Sequence, residues 1–296
     1  MARLSSGPAA TSLLKELVAA DAAGGAARTP RTKALAAQAT LTLAEPTLEA
    51  YRKVPLVEPL ARQLKLKKAK MEDVLRAYNA AADYGVAEAG TAATFPTAAL
   101  YQDFGKAMLA SQRPKGLKKA ELEQYNVMLE EQAFPFEEKA IELHEGNARR
   151  AADGVYDDWV KKSFDALAQM KPGRWSRAER VDTGAPLNQQ GIELRRQGKF
   201  AEARAAYEQA MAANAQAATP VLNLAILHDL YLNEPGQALA LYERYLALAA
   251  PADNTVSKWV AEIRNRKPAA AKVAPAASTP QTPAPTPAVA SRKDKP

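Results

Sequence analysis

Along most of this chain apolar residues recur at intervals of three and four, the spacing of one buried helical face. Met71, Val74, Leu75 and Tyr78 follow it at i, i+3, i+4 and i+7. Glycine and proline fall between such segments, and β-branched alternation is missing. From Arg31 to Met170 the pattern predicts helices at 33–52, 56–66, 70–84, 95–110, 118–133, 136–152 and 155–170, with Pro135 dividing two of them. In the last, Phe164 and Leu167 give the apolar face and Asp158, Lys162 and Ser163 the polar one.

The flanks read differently. Residues 1–30 are rich in Ala, Gly and Ser; Leu13, Leu14, Leu17 and Val18 mark a short helix that Gly24, Gly25 and Pro30 break. The reading is a flexible, loosely attached arm, followed by a helical domain at 31–171. Pro172-Gly173 and Thr183-Gly184-Ala185-Pro186 are turn formers, so 172–186 reads as a connector. Residues 187–266 are helical again. Residues 267–296 form a Pro/Ala/Lys-rich tail without an aromatic side chain, a composition that predicts disorder.

Within 187–266 the pattern repeats. Leu187 opens a first copy with Gly191 at a small-residue position, Gly198 and Phe200 at a turn, and Ala203, Tyr207 and Ala210 on a second helix. In the second copy Ala225 stands 34 residues after Gly191, Pro235-Gly236 make the turn with one residue inserted, and Ala238, Tyr242 and Tyr245 repeat the second helix. Pro251 closes the unit, and Val256, Trp259, Val260 and Ile263 give a capping helix its buried face. This pattern resembles the tetratricopeptide repeat (TPR), a helix–turn–helix unit of about 34 residues in which small residues let the paired helices cross. The predicted fold class is therefore all-α, a TPR-type solenoid with a disordered tail. Leu187 and Gln190 depart from the Trp and Leu usual in the family, and His228 stands where an aromatic is usual. Each unit buries its apolar face on a neighbour, so upstream helices must stack on the pair or form their own bundle. Met71–Ala81, with Val74 and Tyr78 spaced as in a second helix, followed by Thr94, Ala98, Tyr101 and a turn at Gly105, makes the domain at 31–171 TPR-like.

Composition narrows the chemistry. Apolar residues make up 47% of the 296, aromatics only 6%, which favours Ala-rich stacked helices over a sheet. There is no cysteine, so disulfides, thiol nucleophiles and Cys-ligated metal are excluded. Two histidines, His144 and His228, make a His-based metal site improbable, and no cofactor is expected. The net charge is +7, but 267–296 holds five basic residues against one acid, leaving +3 on the rest. The basic excess sits on a tail rather than on a face of the fold, which argues against nucleic acid. No apolar run reaches the length of a membrane span, and residues 1–8 have no secretory apolar region, so the chain as written reads as cytoplasmic.

The run Glu130-Glu131-Gln132-Ala133-Phe134-Pro135-Phe136-Glu137-Glu138-Lys139-Ala140-Ile141, continuing through His144 and Asn147 to Gly154-Val155-Tyr156-Asp157-Asp158-Trp159-Val160, resembles a segment of Gram-negative cell-envelope TPR proteins. These include gliding-motility TPR lipoproteins and TPR partners of TonB/ExbB/ExbD-type systems. The resemblance covers roughly 70–175. It implies a periplasm-facing scaffold with protein partners such as envelope motor or transport components, and it carries over no catalytic residue.

No P-loop, G-x-S-x-G or G-x-G-x-x-G motif is present, and no enzyme activity is expected. His144 lies between Glu142 and Glu145 but has Ala148 at i+4, so it reads as a half-exposed helical histidine rather than a ligand. Glu130, Glu131, Glu137 and Glu138 read as a solvated face, as do the clusters at Lys65, Lys67, Lys68, Lys70 and at Arg113, Lys115, Lys118, Lys119. The first helices of the repeats predict a peptide groove lined by Asn188, Ile192, Arg195 and Arg196 and by Leu222, Asn223, Ile226 and Asp229. Asparagine there suits backbone hydrogen bonding, whereas Ile192 occupies the place where the carboxylate clamp of chaperone-binding TPRs needs Asn. The expected function is a non-enzymatic protein-binding adaptor in a bacterial envelope complex. A cytoplasmic regulatory TPR protein and a fragment of a larger enzyme are the alternatives.

Overall fold

The computed structural model describes residues 7–249 and 253–266. Among these, every regular element is helical and no strand occurs. The helices are α1 (Pro8–Ala23), α2 (Pro30–Leu43), α3 (Glu45–Arg52), α4 (Leu60–Ala82), α5 (Ala87–Leu109), α6 (Lys119–Arg149), α7 (Asp158–Met170), α8 (Pro172–Trp175), α9 (Pro186–Arg196), α10 (Phe200–Ala213), α11 (Ala218–Ile226), α12 (Pro235–Leu248) and α13 (Asn254–Asn265). None is long and apolar enough to cross a membrane. The expectations for the tail and for Pro251 lie outside the described residues.

Several boundaries differ from those the pattern predicts. The expected loose arm contains α1, which packs on α2; buried Asp21 holds it through a 2.7 Å ion pair to Arg28. The expected helix 33–52 is broken at Ala44. The expected 56–66 and 70–84 are one 23-residue helix, α4. Pro135 does not divide α6, and Pro96 lies inside α5. A proline removes one backbone donor, but α5 and α6 pack on each other more extensively than any other pair of helices, and that packing outweighs the defect. Gly105, expected at a turn, sits inside α5 at this crossing: a Cβ there would lie 3.5 Å from the Ala133 carbonyl oxygen. Helices of 23, 23 and 31 residues do not fit a unit of about 34, so α4–α6 do not follow the repeat spacing of the C-terminal part.

Among the described residues two apolar cores form, and their division falls elsewhere than at residue 171. One gathers Tyr51, Met71, Val74, Tyr78, Leu100, Phe104 and Ala133. The other runs from Ile141 and Ala148 through Val160, Phe164, Leu167 and Trp175 to Phe200, Tyr207, Tyr242 and Ile263. α6 contributes to both, since 31 residues at 1.5 Å each extend about 46 Å. The expected connector is therefore not a gap between two bodies. α7 and α8 are part of the C-terminal core, and the described residues as far as Arg264 fall in one compact unit.

In the C-terminal core α9 packs mainly on α10, and α11 on α12. Gly191 is what allows the first pairing, because a Cβ there would lie 2.6 Å from Tyr207 Cδ1. The left-handed residue in the first turn is Gly198 (φ 79°); in the second it is Asn233 (φ 54°). These are 35 residues apart, one more than Gly191 and Ala225. The inserted residue is absorbed where α11 runs into a π-helical turn, Leu227–Tyr231, the usual form of a one-residue insertion in a helix. Asn tolerates the left-handed region better than other non-glycine residues. α13 begins at an Asp253 cap, whose carboxylate accepts from the Thr255 and Val256 amides, and buries Val256, Val260 and Ile263 as the periodicity predicts.

Candidate functional site

Arg177, Glu179 and Arg180 lie against four of the residues predicted to line a groove, Asn188, Arg195, Asn223 and Asp229. Pro172 starts the short α8, Trp175 packs its ring on Phe164 with centroids 5.5 Å apart, and the chain then continues to Pro186 without regular structure. Across this stretch the groove residues hold the chain's own backbone. The Arg180 amide donates to Asn223 Oδ1 (2.8 Å), and the Arg180 carbonyl accepts from Asn223 Nδ2 (2.8 Å) and Asn188 Nδ2 (3.2 Å). Asn223 Nδ2 also donates to Asn188 Oδ1 at 2.9 Å, which fixes the two amides against each other. Both asparagines are fully buried.

Side chains of the segment enter three polar pockets. The Arg177 side chain has no solvent exposure; its guanidinium pairs with Asp229 of the π turn and with Glu262 of α13 (2.6 Å). It also lies over the Trp259 and Tyr242 rings, 5.2 and 5.7 Å from their centroids, a favourable place for a cation. Glu179, almost completely buried, accepts from Arg195 Nε (2.9 Å) and from the Tyr207 hydroxyl (2.6 Å). The Arg180 side chain, about half exposed, reaches Asp253 and the Tyr245 hydroxyl. The charges follow a simple order, with acids holding Arg177 and Arg180 and a cation holding Glu179.

The electrostatics follow from this packing. Burial pulls the Arg195 guanidinium down, but its hydrogen bond to Glu179 together with the charges of Tyr231, Glu179 and Tyr156 outweighs that and leaves it above its ordinary value. Burial, then the Glu179 charge, raises the Tyr207 phenol. Burial raises the Asp253 carboxyl, but the Val256 amide and the Arg180 guanidinium more than reverse this.

The predicted groove residues therefore separate into groups. Asn188, Asn223, Arg195 and Asp229 converge on residues 177–180, so in this structure they face the chain's own segment and not an open groove. Ile192, Leu222 and Ile226 are buried in the apolar core and line no groove surface. Arg196 is exposed and lies 3.8 Å from Glu193. Of the repeat-signature residues, Phe200, Ala203, Ala210, Ala225 and Ala238 are buried, while Pro235 and Gly236 are exposed at the start of α12. Sequence reasoning missed Arg177, Glu179, Arg180, Asp253 and Glu262. The available signal was the charge order Arg-Ala-Glu-Arg inside a stretch otherwise composed as a connector.

Other candidate residues have structural roles. His144 is buried rather than half-exposed: its Nδ1 lies 3.3 Å from Ser163 Oγ and its ring 5.4 Å from Phe95. Asn147 donates to Ser163 Oγ and to the Thr91 carbonyl, and Thr91 donates to Asp157, the cap of α7. This network joins α5, α6 and α7. Burial lowers the His144 imidazole to about 4. His228 is buried beside Glu234 and is likewise lowered by burial, against the opposing pull of that carboxylate. Lys67 leaves its surface cluster: it is buried, donates to the Tyr51 and Val54 carbonyls at 3.2 and 3.0 Å, and lies over the Tyr51 ring. It thus satisfies carbonyls at the end of α3. Glu130, Glu131, Glu137 and Glu138 are exposed. Among the described residues no group of three His, Asp or Glu side chains is placed to hold a metal ion. No protein-family model matches the chain, and no curated protein is significantly similar to it.

Proposed function

We propose that this chain is a non-enzymatic scaffold that binds other proteins through a TPR-type groove. One observation carries the reading: Asn188 and Asn223, each on the first helix of a helical pair, hold both backbone polar groups of a single residue, Arg180. Such contacts recognise a polypeptide main chain whatever its side chains, and pockets beside them add specificity. The TPR assignment is supported by the Gly191–Tyr207 crossing, by left-handed residues in both turns, and by α13 capping the pair. An envelope setting, with motor or transport components as partners, is supported by the resemblance of Glu130–Val160 to envelope TPR proteins.

The test is affinity capture from envelope extract with three baits. They are the full chain, the chain without 268–296, and the chain carrying Asn188→Ala, Arg195→Ala and Asn223→Ala together, checked for intact helicity. The expected result is a saturable partner kept by the tail deletion and lost by the triple variant. If the triple variant keeps its partners and the deletion loses them, binding belongs to the tail and the groove reading is wrong.

A further inference from the structure

The occupied groove carries information about its ligand. A covalent link from α8 to α9 needs only turn chemistry, which Asp182 and Gly184 provide: the Asp182 carboxylate accepts from the Gly184 amide at 3.0 Å. Nothing in that task requires three charged side chains in a row of matching pockets. Yet Arg177 enters a site with two acids and two aromatic walls, Glu179 a site with a guanidinium and a phenol, and Arg180 a site with an acid and a phenol. The backbone between them is gripped by two asparagines. Those pockets belong to α9–α13, separate in sequence from the segment that fills them. Meanwhile Ser176, Ala178 and Val181 are exposed, so the segment lies on the surface and its outward side is uncovered.

We propose that the groove is a receptor for polypeptide segments carrying Arg-x-Glu-Arg, and that Arg177–Arg180 is its resident occupant, displaced when a partner presents the same charges. This rests on the protein-binding reading above and narrows it to a ligand class. The acids select cations at the first and fourth positions, and Arg195 with Tyr207 selects an acid at the third. The resident segment competes from a tethered position, where a short flexible link gives an effective concentration of about millimolar. A partner must therefore bring either many copies or further contacts outside the groove. The groove is closed to chance segments and opens to those that match.

The test uses the full chain and a fluorescently labelled peptide with the sequence of Trp175–Thr183. In the variant Arg177→Ala/Glu179→Ala/Arg180→Ala the resident side chains are gone. Fluorescence anisotropy is expected to show this variant binding the peptide about tenfold or more tightly than the unmodified chain. A peptide with alanine in place of both arginines is expected to lose that binding, as is addition of Asn223→Ala to the variant. A folded variant that binds neither peptide overturns the inference. So does equal binding of both peptides, although that outcome leaves a general polypeptide-binding groove and hence the scaffold reading intact. Should the variant not fold, hydrogen exchange on the unmodified chain decides instead. Excess peptide is expected to accelerate exchange of the Arg180 amide, which Asn223 protects in the resident state, and unchanged protection at millimolar peptide overturns displacement. Light scattering that shows a concentration-dependent dimer without peptide assigns the groove to a second copy of the chain and likewise overturns it.

Discussion

Gly191→Ala is the sharpest test of how α9 and α10 meet. On propensity alone the change stabilises a helix interior by about 1 kcal/mol. Here the added methyl lands 2.6 Å from Tyr207 Cδ1 and 2.8 Å from Cζ, where ordinary contact begins near 3.4 Å. The ring must retreat by the better part of an ångström. It has little freedom to do so, because Tyr207 is fully buried and its hydroxyl is tied to Glu179 at 2.6 Å. Overpacking of this kind costs about 1–3 kcal/mol. Set against the propensity gain, the net expectation is a loss of up to about 2 kcal/mol, a fall in melting temperature of up to about 8 °C for a chain of this size. Gly146→Ala is the control: it lies within α6, where the new Cβ meets only Arg149 at 3.8 Å, and it should raise stability by up to about 1 kcal/mol. Melting followed by circular dichroism reads both. The double variant Gly191→Ala/Tyr207→Leu should recover part of the loss relative to Tyr207→Leu alone. A Gly191→Ala protein stabilised as much as Gly146→Ala, or a penalty indifferent to the residue at 207, refutes the crossing geometry.

Two further outcomes are expected. The folded-state value of His144 is about 4 against 6.5 for the free side chain, so between those pH values the unfolded chain binds a proton that the folded chain refuses. Its contribution is whole above about pH 6.5 and is lost as pH falls to 4, about 3 kcal/mol in all at 1.4 kcal/mol per unit. The difference in urea-unfolding stability between the parent and His144→Gln should therefore shrink from pH 7.5 to pH 4.5, and a constant difference contradicts the buried neutral imidazole. Lys67→Met should cost about 1–3 kcal/mol through loss of its bonds to the Tyr51 and Val54 carbonyls, whereas Lys68→Met should stay within about 0.5 kcal/mol. Equal effects in chemical denaturation would return Lys67 to the surface cluster.

What the sequence determined by itself was local. Helical periodicity located the buried faces at Met71, Val74 and Tyr78 and at Val256, Val260 and Ile263, because a helix repeats its contacts every three or four residues and that period is written in the residue order. The small residue at 191 and the turn glycine at 198 were legible because each answers a demand made within one helical pair, whereas the Arg180 backbone that Asn223 holds lies 43 residues away. Contacts far apart in the chain had no such mark. The continuity of α6 through Pro135 depends on packing against α5, which outweighs one missing backbone donor. The burial of His144 and Lys67 depends on what α7 and α3 bring against them. Above all, the charge order Arg-Ala-Glu-Arg at 177–180 did not say which residues it would meet: Arg177 meets Asp229 and Glu262 across 52 and 85 residues. Charges at those separations are brought together only by the tertiary packing that sets the π turn Leu227–Tyr231 and α13 against the stretch after α8.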